Sequence, residues 1–337
     1  MKAMSLTKEE LLEMESLPKT KLDVMKDYLI CFLPVTIGIL CLLEYYFIPN
    51  YGMNTITNVY GGFIGILITV FFIMFLISLK NKLVFEKLRY KAPFYSAVFM
   101  LLTGYDVLTL KTGTLMLPYF PWTDRILNAM ISDWRYLLDC VKNSLILLFT
   151  GYFSGAIIGL ITGISCGYSK KVNYWISPFM RLLGPIPSIT WLPIVIVIMT
   201  SLFNGAVVII ALGVWYSVSM ATITGISNVD ASYFEVAKTL GAGSKELVFG
   251  IAIPHAMPNI FQGLTQGMSS ACTALLIAEM VGVESGLGWY INWQKSWAEF
   301  GKMYGAVILI CLTFITVNFI LSRIKKYVLR WQEGVIQ

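Results

Sequence analysis

Residues able to do chemistry are scarce in this chain. His255 is the only histidine, set between Pro254 and Pro258, and no Cys or Asp cluster stands near it to complete a metal site. The six cysteines, Cys31, Cys41, Cys140, Cys166, Cys272 and Cys311, form no C-x-x-C pair, and five lie in apolar segments, so they read as small packing residues. No G-x-x-x-x-G-K-[ST] loop occurs, so ATP is not hydrolysed by this chain, and no nucleophile has a base beside it. The sequence therefore offers no catalytic residue, no metal ligand and no cofactor site. One acid, Glu279, lies near the end of an apolar run. A carboxylate at a bilayer centre costs roughly 2.5–3.5 kcal/mol, which makes it a candidate for gating or packing. An ionised Glu279 would repel an anionic solute, which argues against direct contact with one. Trp215 and Tyr216, beside Gly213, are candidates for lining a pathway, although aromatic residues in spans more often face lipid or neighbouring helices.

The densest local pattern runs from Asp230 to Pro254. Asp230 suits a helix N-cap, Glu235 and Ala237 fall on the helix that follows, and Gly241 suits the left-handed position that ends it. Gly243 follows the turn, Ser244 can cap a second short helix carrying Glu246 in its first turn, and Pro254 is expected to stop that helix. The pattern describes a helix-turn-helix elbow that a soluble partner could grip.

The elements that hold this elbow are apolar. Hydrophobic residues make up 57% of the chain, charged residues 13%, and mean hydropathy is +0.72. Soluble domains carry about 25% charged residues. Eight apolar segments, about 28–48, 59–79, 93–110, 143–167, 182–199, 205–227, 263–283 and 304–322, approach the roughly 20 residues that cross a bilayer. The fifth contains Pro185, Pro187 and Pro193 and is expected to be kinked or partly non-helical. The expected fold is all-α, a polytopic transmembrane helical bundle of about eight spans. Residues 1–27 read as a cytoplasmic segment with a short surface helix at 7–16, opened by a capping box at Thr7-Lys8-Glu9-Glu10. With the amino terminus inside, 19 of the 25 basic residues fall on the cytoplasmic side, leaving Lys111, Arg125, Arg135, Lys142, Lys295 and Lys302 outside. That distribution places both termini in the cytoplasm and explains the net charge of +6 without nucleic acid. The outer linker holds Trp122, Trp134 and Tyr136, which read as interfacial anchors. Gly151, Gly155, Gly159, Gly163 and Gly167 recur every fourth residue along the fourth segment, a bare ridge for close helix packing or for sliding against a neighbour.

The elbow resembles the coupling loop of bacterial ABC importer permeases, whose signature is E-A-A, three residues, G, nine residues, then I-x-L-P. Glu235, Ala237, Gly241, Ile251 and Pro254 match at the correct spacing; Val236 and Ile253 are mild departures. Softer matches, Leu117-Pro118, Asn143-Ser144-Leu145, Gly184-Pro185-Ile186-Pro187, Trp191-Leu192-Pro193, Ala278-Glu279-Met280 and Gly286-Leu287-Gly288, are similar to the nitrate/sulfonate/taurine branch. The resemblance covers roughly 93–325. It implies a type I six-span core over 93–325 with its coupling loop at 228–260, two additional spans within 28–92, and a cytoplasmic tail at 326–337.

The resemblance further implies a subunit of a bacterial inner-membrane importer for a small solute, such as a sulfonate-like or nitrate-like anion. Its partners would be ABC ATPase subunits, an extracytoplasmic binding protein and a second permease copy. The competing class is a secondary transporter or channel, which needs coupling-ion or selectivity charges inside the spans. The sequence shows little of that kind beyond Glu279.

Overall fold

The computed structural model describes residues 21–331 apart from Met53. The expected helix at 7–16 and the last tail residues lie outside the described residues. The described chain is helical, with no strand among the described residues. Its helices are α1 (Lys21–Phe47), α2 (Asn58–Lys80), α3 (Lys82–Asp106), α4 (Thr123–Ser132), α5 (Trp134–Tyr168), α6 (Lys170–Leu183), α7 (Leu192–Ile198), α8 (Leu202–Ser227), α9 (Ala231–Thr239), α10 (Ser244–Glu246), α11 (Ile253–Val281), α12 (Leu287–Ser296) and α13 (Phe300–Val328). Seven continuous helical runs are long and apolar enough to cross a membrane. Many extend beyond the apolar segments because their polar ends reach past the hydrocarbon; Ser244–Val281, for example, is 38 residues long.

Two compact units divide the chain, Met1–Asn128 and Ala129–Gln337. The third span therefore clusters with the two before it, and the division between the units falls after Asn128. The reason is packing: α1 is the main partner of both α2 and α3, and Cys41, Tyr45, Tyr60, Ile64, Phe99, Leu110 and Trp122 form one core. Trp122 belongs to that core, only 6% exposed, so it is not the expected interfacial anchor. Asp124 on α4 accepts from the Thr57 amide (2.7 Å), the Thr57 hydroxyl and the Tyr60 amide (3.0 Å), capping α2 from another helix. This unit also buries more charge than its sequence suggested. The carboxylate oxygens of Glu44 and Asp106 are buried without a hydrogen-bond partner among the described residues. Lys111 donates to the carbonyls of Tyr45 (2.6 Å) and Ile48 (2.8 Å) and to Asn50 Oδ1. These groups sit in the last turns of their helices, where an apolar segment is easily read as ending.

In the second unit, α5 and α8 form the most extensive helix pair. A Cβ built on Gly151 would stand 2.6 Å from Cβ of Ile210; the same holds for Gly159 and Val218 (2.9 Å), Gly163 and Thr222 (2.6 Å), and Gly167 and Ile226 (2.9 Å). Gly155 meets the backbone of Ala211 and Val214 Cβ. Both helices advance by four residues at each contact, so they run parallel and in register. Ser219 Oγ donates to the Gly159 carbonyl (3.1 Å), and Trp215 Nε1 donates to Thr162 Oγ1 (3.0 Å), adding polar ties to the seam.

Parallel neighbours oblige the chain to return across the bundle between Tyr168 and Leu202. The return is made by α6, a bend at Gly184-Pro185-Ile186-Pro187, a 3₁₀ turn (Ser188–Trp191) and α7, with 86° between the two arms. Neither α6, with 14 residues, nor the 3₁₀ turn and α7, with four and seven, reaches the roughly 20 residues of a full span. Together they make the eighth crossing, broken where the prolines remove backbone donors. α11 returns antiparallel to α8: Gly225 faces Ala256, and Gly263 faces Ala221.

Replacing Gly159 with Leu forces side-chain atoms into Val218, and overpacking of this kind costs about 1–3 kcal/mol. Gly62, whose Cβ would meet nothing within 4 Å, provides the control. Thermal unfolding of the purified chain should fall for Gly159→Leu and stay near wild type for Gly62→Leu.

Candidate functional site

The elbow follows α8. Asp230 is the N-cap of α9, its Oδ1 accepting from the Ser232 amide at 2.9 Å, and that bond holds its carboxyl below the usual carboxylate range. Gly241 has φ +86°. The Ala242 amide bonds back to the Ala237 carbonyl and the Gly241 amide to the Lys238 carbonyl, both at 3.0 Å, the paired bonds that close a helix through a left-handed residue. Gly243 caps the next helix and Ser244 is its first residue, so the cap lies one position before the expected one. The Glu246 carboxylate accepts from the Gly243 amide.

Pro254 does not end this helix. Residues Leu247–Ala252 form a π turn in which the Ile253 amide bonds to the Val248 carbonyl, five residues back. Pro254 then falls in the first turn of α11. The widened turn takes up the ring and the missing donor, so Ser244–Val281 continues as one run. The elbow is thus continuous with a membrane helix. Beneath it, Ile226, Ala252, Ala256 and Ile260 form a buried cluster with Phe234 packed against it.

The outer surface of the elbow is bare. Tyr233 and Val236 are each 59% exposed, Phe249 70% and Leu240 83%. Glu235 is exposed among them, while Ala237 and Ile251 are half-buried. The apolar group was not visible in the sequence motif because Val236 and Leu240 occupy positions the signature leaves free or varies.

At the opposite end of α11, Glu279 is 1% exposed. Ser144 Oγ on α5 donates to its Oε1 at 2.6 Å, the Gly288 amide donates to its Oε2 at 2.7 Å, and the Leu287 amide donates to Ser144 Oγ at 2.9 Å. The carboxylate therefore caps α12 from another helix, where amides and helix dipole favour negative charge. Gly286, at φ +111°, and Gly288 are the bare positions that admit it. Three fragments far apart in sequence, Asn143-Ser144-Leu145, Ala278-Glu279-Met280 and Gly286-Leu287-Gly288, meet here. Nearby, Asp133 accepts from Tyr290 (2.8 Å) and pairs with Lys302 (3.0 Å). Burial would raise its carboxyl, but the bonds from Lys302 and Tyr290 outweigh that and hold it below the usual range.

Of the other sequence candidates, Trp215 is tied to Thr162 in the glycine seam, and the Tyr216 hydroxyl lies against Gly184 at the bend. The elbow and the Glu279 clamp occupy opposite ends of α11 and do not meet. Among the described residues, no group of three or more His, Cys, Asp or Glu is placed to hold a metal ion.

If Glu279 acts as a cap, shape and hydrogen bonding count for more than charge. Glu279→Leu strands the Gly288 amide and the Ser144 hydroxyl, at about 1–3 kcal/mol for each lost partner. Glu279→Gln can still accept from Gly288 and donate to Ser144. Thermal unfolding should therefore rank wild type first, Gln close behind and Leu well below. Equal losses for Gln and Leu would contradict the cap.

Comparison with known proteins agrees with this architecture. The chain is 31% identical over 107 residues to a protein named as an aliphatic sulfonates transport permease in Bacillus subtilis, covering 32% of this chain and 39% of that protein. It is 23% identical over 124 residues to the taurine transport system permease protein of Escherichia coli, covering 37% and 44%. These matches span less than half of each relative. An inward-facing structure of the MetNI methionine ABC transporter matches with a TM-score of 0.52 at 20% identity, over 58% of this chain and 98% of that chain, a likeness of fold. Residues 155–333, more than half of the chain, match the family described as "Binding-protein-dependent transport system inner membrane component". This multi-pass membrane protein belongs to that family of ABC transporter permeases.

Proposed function

We propose that the chain forms the translocation path of an importer whose energy comes from a separate ATPase seated on the elbow. The observation that carries this reading is the elbow itself: hydrogen-bonded within, continuous with α11, and apolar on its open face at Tyr233, Val236, Leu240 and Phe249. Exposed apolar clusters of this kind mark partner surfaces. Glu235 makes no hydrogen bond or ion pair among the described residues and is open to a basic group of the ATPase. ATP-driven motion of the ATPase would bias one two-state element, the elbow with α11 and α8, between inward-open and outward-open forms.

Helix direction supports the orientation. The carboxyl ends of α5, α8 and α13 lie at the elbow's end of the second unit, which also carries Lys170, Lys171, Arg323, Lys325 and Lys326. In this reading the basic side of the second unit is cytoplasmic, and the protein sits in a bacterial cell membrane with both termini in the cytoplasm. A second copy of the chain and an extracytoplasmic binding protein complete the assembly. The sulfonate and taurine relatives point to a small anionic solute.

Gly241→Val places a β-branched residue at φ +86°, where strain is about 1–2 kcal/mol, and Glu235→Lys reverses the open charge. Both should insert normally, yet lose co-purification of the ATPase or uncouple its hydrolysis from uptake. Full ATPase attachment and full uptake in both variants would remove the elbow from the coupling path.

A further inference from the structure

The first unit buries more charge than it balances, and the family match, over residues 155–333, does not reach it. Glu44 lies near the end of α1, Asp106 is the last residue of α3, and Lys111 closes the π turn that follows. α1 packs along α3, which brings the two helix ends together. Asp106 is fully buried; Glu44 is half-buried, but its two carboxylate oxygens are as enclosed as those of Asp106. The charges of Glu44, Asp106 and Lys111 act on one another.

Neither carboxylate receives a hydrogen bond among the described residues. Lys111 stands nearest to the role, but an ammonium has three protons and all three are engaged elsewhere. They go to the carbonyls of Tyr45 (2.6 Å) and Ile48 (2.8 Å) and to Asn50 Oδ1 (2.9 Å). The surrounding hydroxyls are engaged too: Thr103 donates to the Phe99 carbonyl (2.9 Å), Tyr45 donates to the Thr57 carbonyl (2.7 Å), and Tyr60 is matched to Cys41 Sγ (3.7 Å). Trp122 Nε1, in the same core, has no partner and so serves neither acid. Asp124 faces this core from α4, but its charge is met by the Thr57 and Tyr60 amides.

Two carboxylates against one ammonium leave one negative charge inside an apolar core. An enclosed ion without a partner is strongly unfavourable, so one positive charge is missing. A divalent ion would overshoot by one charge. We propose that Glu44 and Asp106 form a site for a single monovalent cation, a proton or an alkali-metal ion, whose binding locks the end of α1 to the end of α3. Both sources share one chemistry, a hard positive charge on carboxylate oxygen. A proton joins the pair as acid and carboxylate; a metal ion bridges two carboxylates. When the site empties, the two acids repel across the contact between α1 and α3. The bond from the Tyr51 amide to the Leu110 carbonyl (2.9 Å), just beyond both helices, then loosens with them.

The test reads amide hydrogen exchange at the ends of α1 and α3 in the purified full-length chain. In the proton arm, choline chloride is the only salt and pH falls from about 8 to about 6, a range in which exposed carboxylates do not titrate. In the sodium arm, pH stays at about 8 and sodium replaces choline at constant ionic strength. After correction for the intrinsic exchange rate, protection at these two ends should rise in one arm or both. The rise should reach up to about tenfold per pH unit, or per decade of sodium, which is the limit for one linked ion. The arm that responds identifies the ion. Glu44→Gln and Asp106→Asn each leave one carboxylate facing one ammonium, so both variants should stay protected in either arm without responding. His255, the only histidine, is present in both variants and controls for its own titration in this range. Protection in the wild-type chain that answers to neither ion, or that answers equally in both variants, would overturn the proposal.

Discussion

The glycine seam between α5 and α8 is the constraint on which the rest of the second unit depends. Lipid offers no hydrophobic drive for two apolar helices to associate, so contact must come from close packing and a few polar ties. Five bare positions, one per turn, supply that contact and fix a parallel register. Parallel neighbours then require a crossing between them, and this crossing is the one broken by prolines. The bend and the elbow's position at the end of α8 both follow from that register. α11 extends the arrangement by packing its own glycines, Gly263 and Gly267, onto α8 at Ala221, Val218 and Val214, beside the seam with α5.

A second constraint is the treatment of buried charge. Glu279 and Asp124 are carboxylates that hydrogen-bond backbone amides at the start of helices to which they do not belong. In a medium without water, such amides are orphan donors and such carboxylates are uncompensated anions. Joining the two satisfies both at once and ties a short outer helix to a long span. In this arrangement Glu279 orders the end of α11 away from the elbow.

Local patterns in the sequence carried most of what could be read from it. The elbow was legible because Asp230, Gly241 and Glu246 each perform a role fixed by neighbours within a few residues. The glycine ridge was legible as a packing surface, although not its partner. Contacts distant in sequence were hidden: nothing near Ser144 announces Glu279, which lies 135 residues away. Pro254 misled because a π turn can absorb a proline that an α-helix could not. Trp122 looked like an anchor because it lies in the linker between apolar segments, yet it fills the core of the first unit. Glu44 and Asp106 escaped notice because each ends an apolar run whose average hides one charge.

The central claim is that the elbow receives a soluble ATPase and passes its motion into α11. Amide hydrogen exchange, followed along the whole chain with and without the ATPase subunits, tests it directly. The account predicts new protection concentrated in α9, the turn at Gly241 and the π turn before α11, with the other loops on the same side unchanged. Protection spread over Lys170–Leu183 or the end of α13, with the elbow left unprotected, would contradict it.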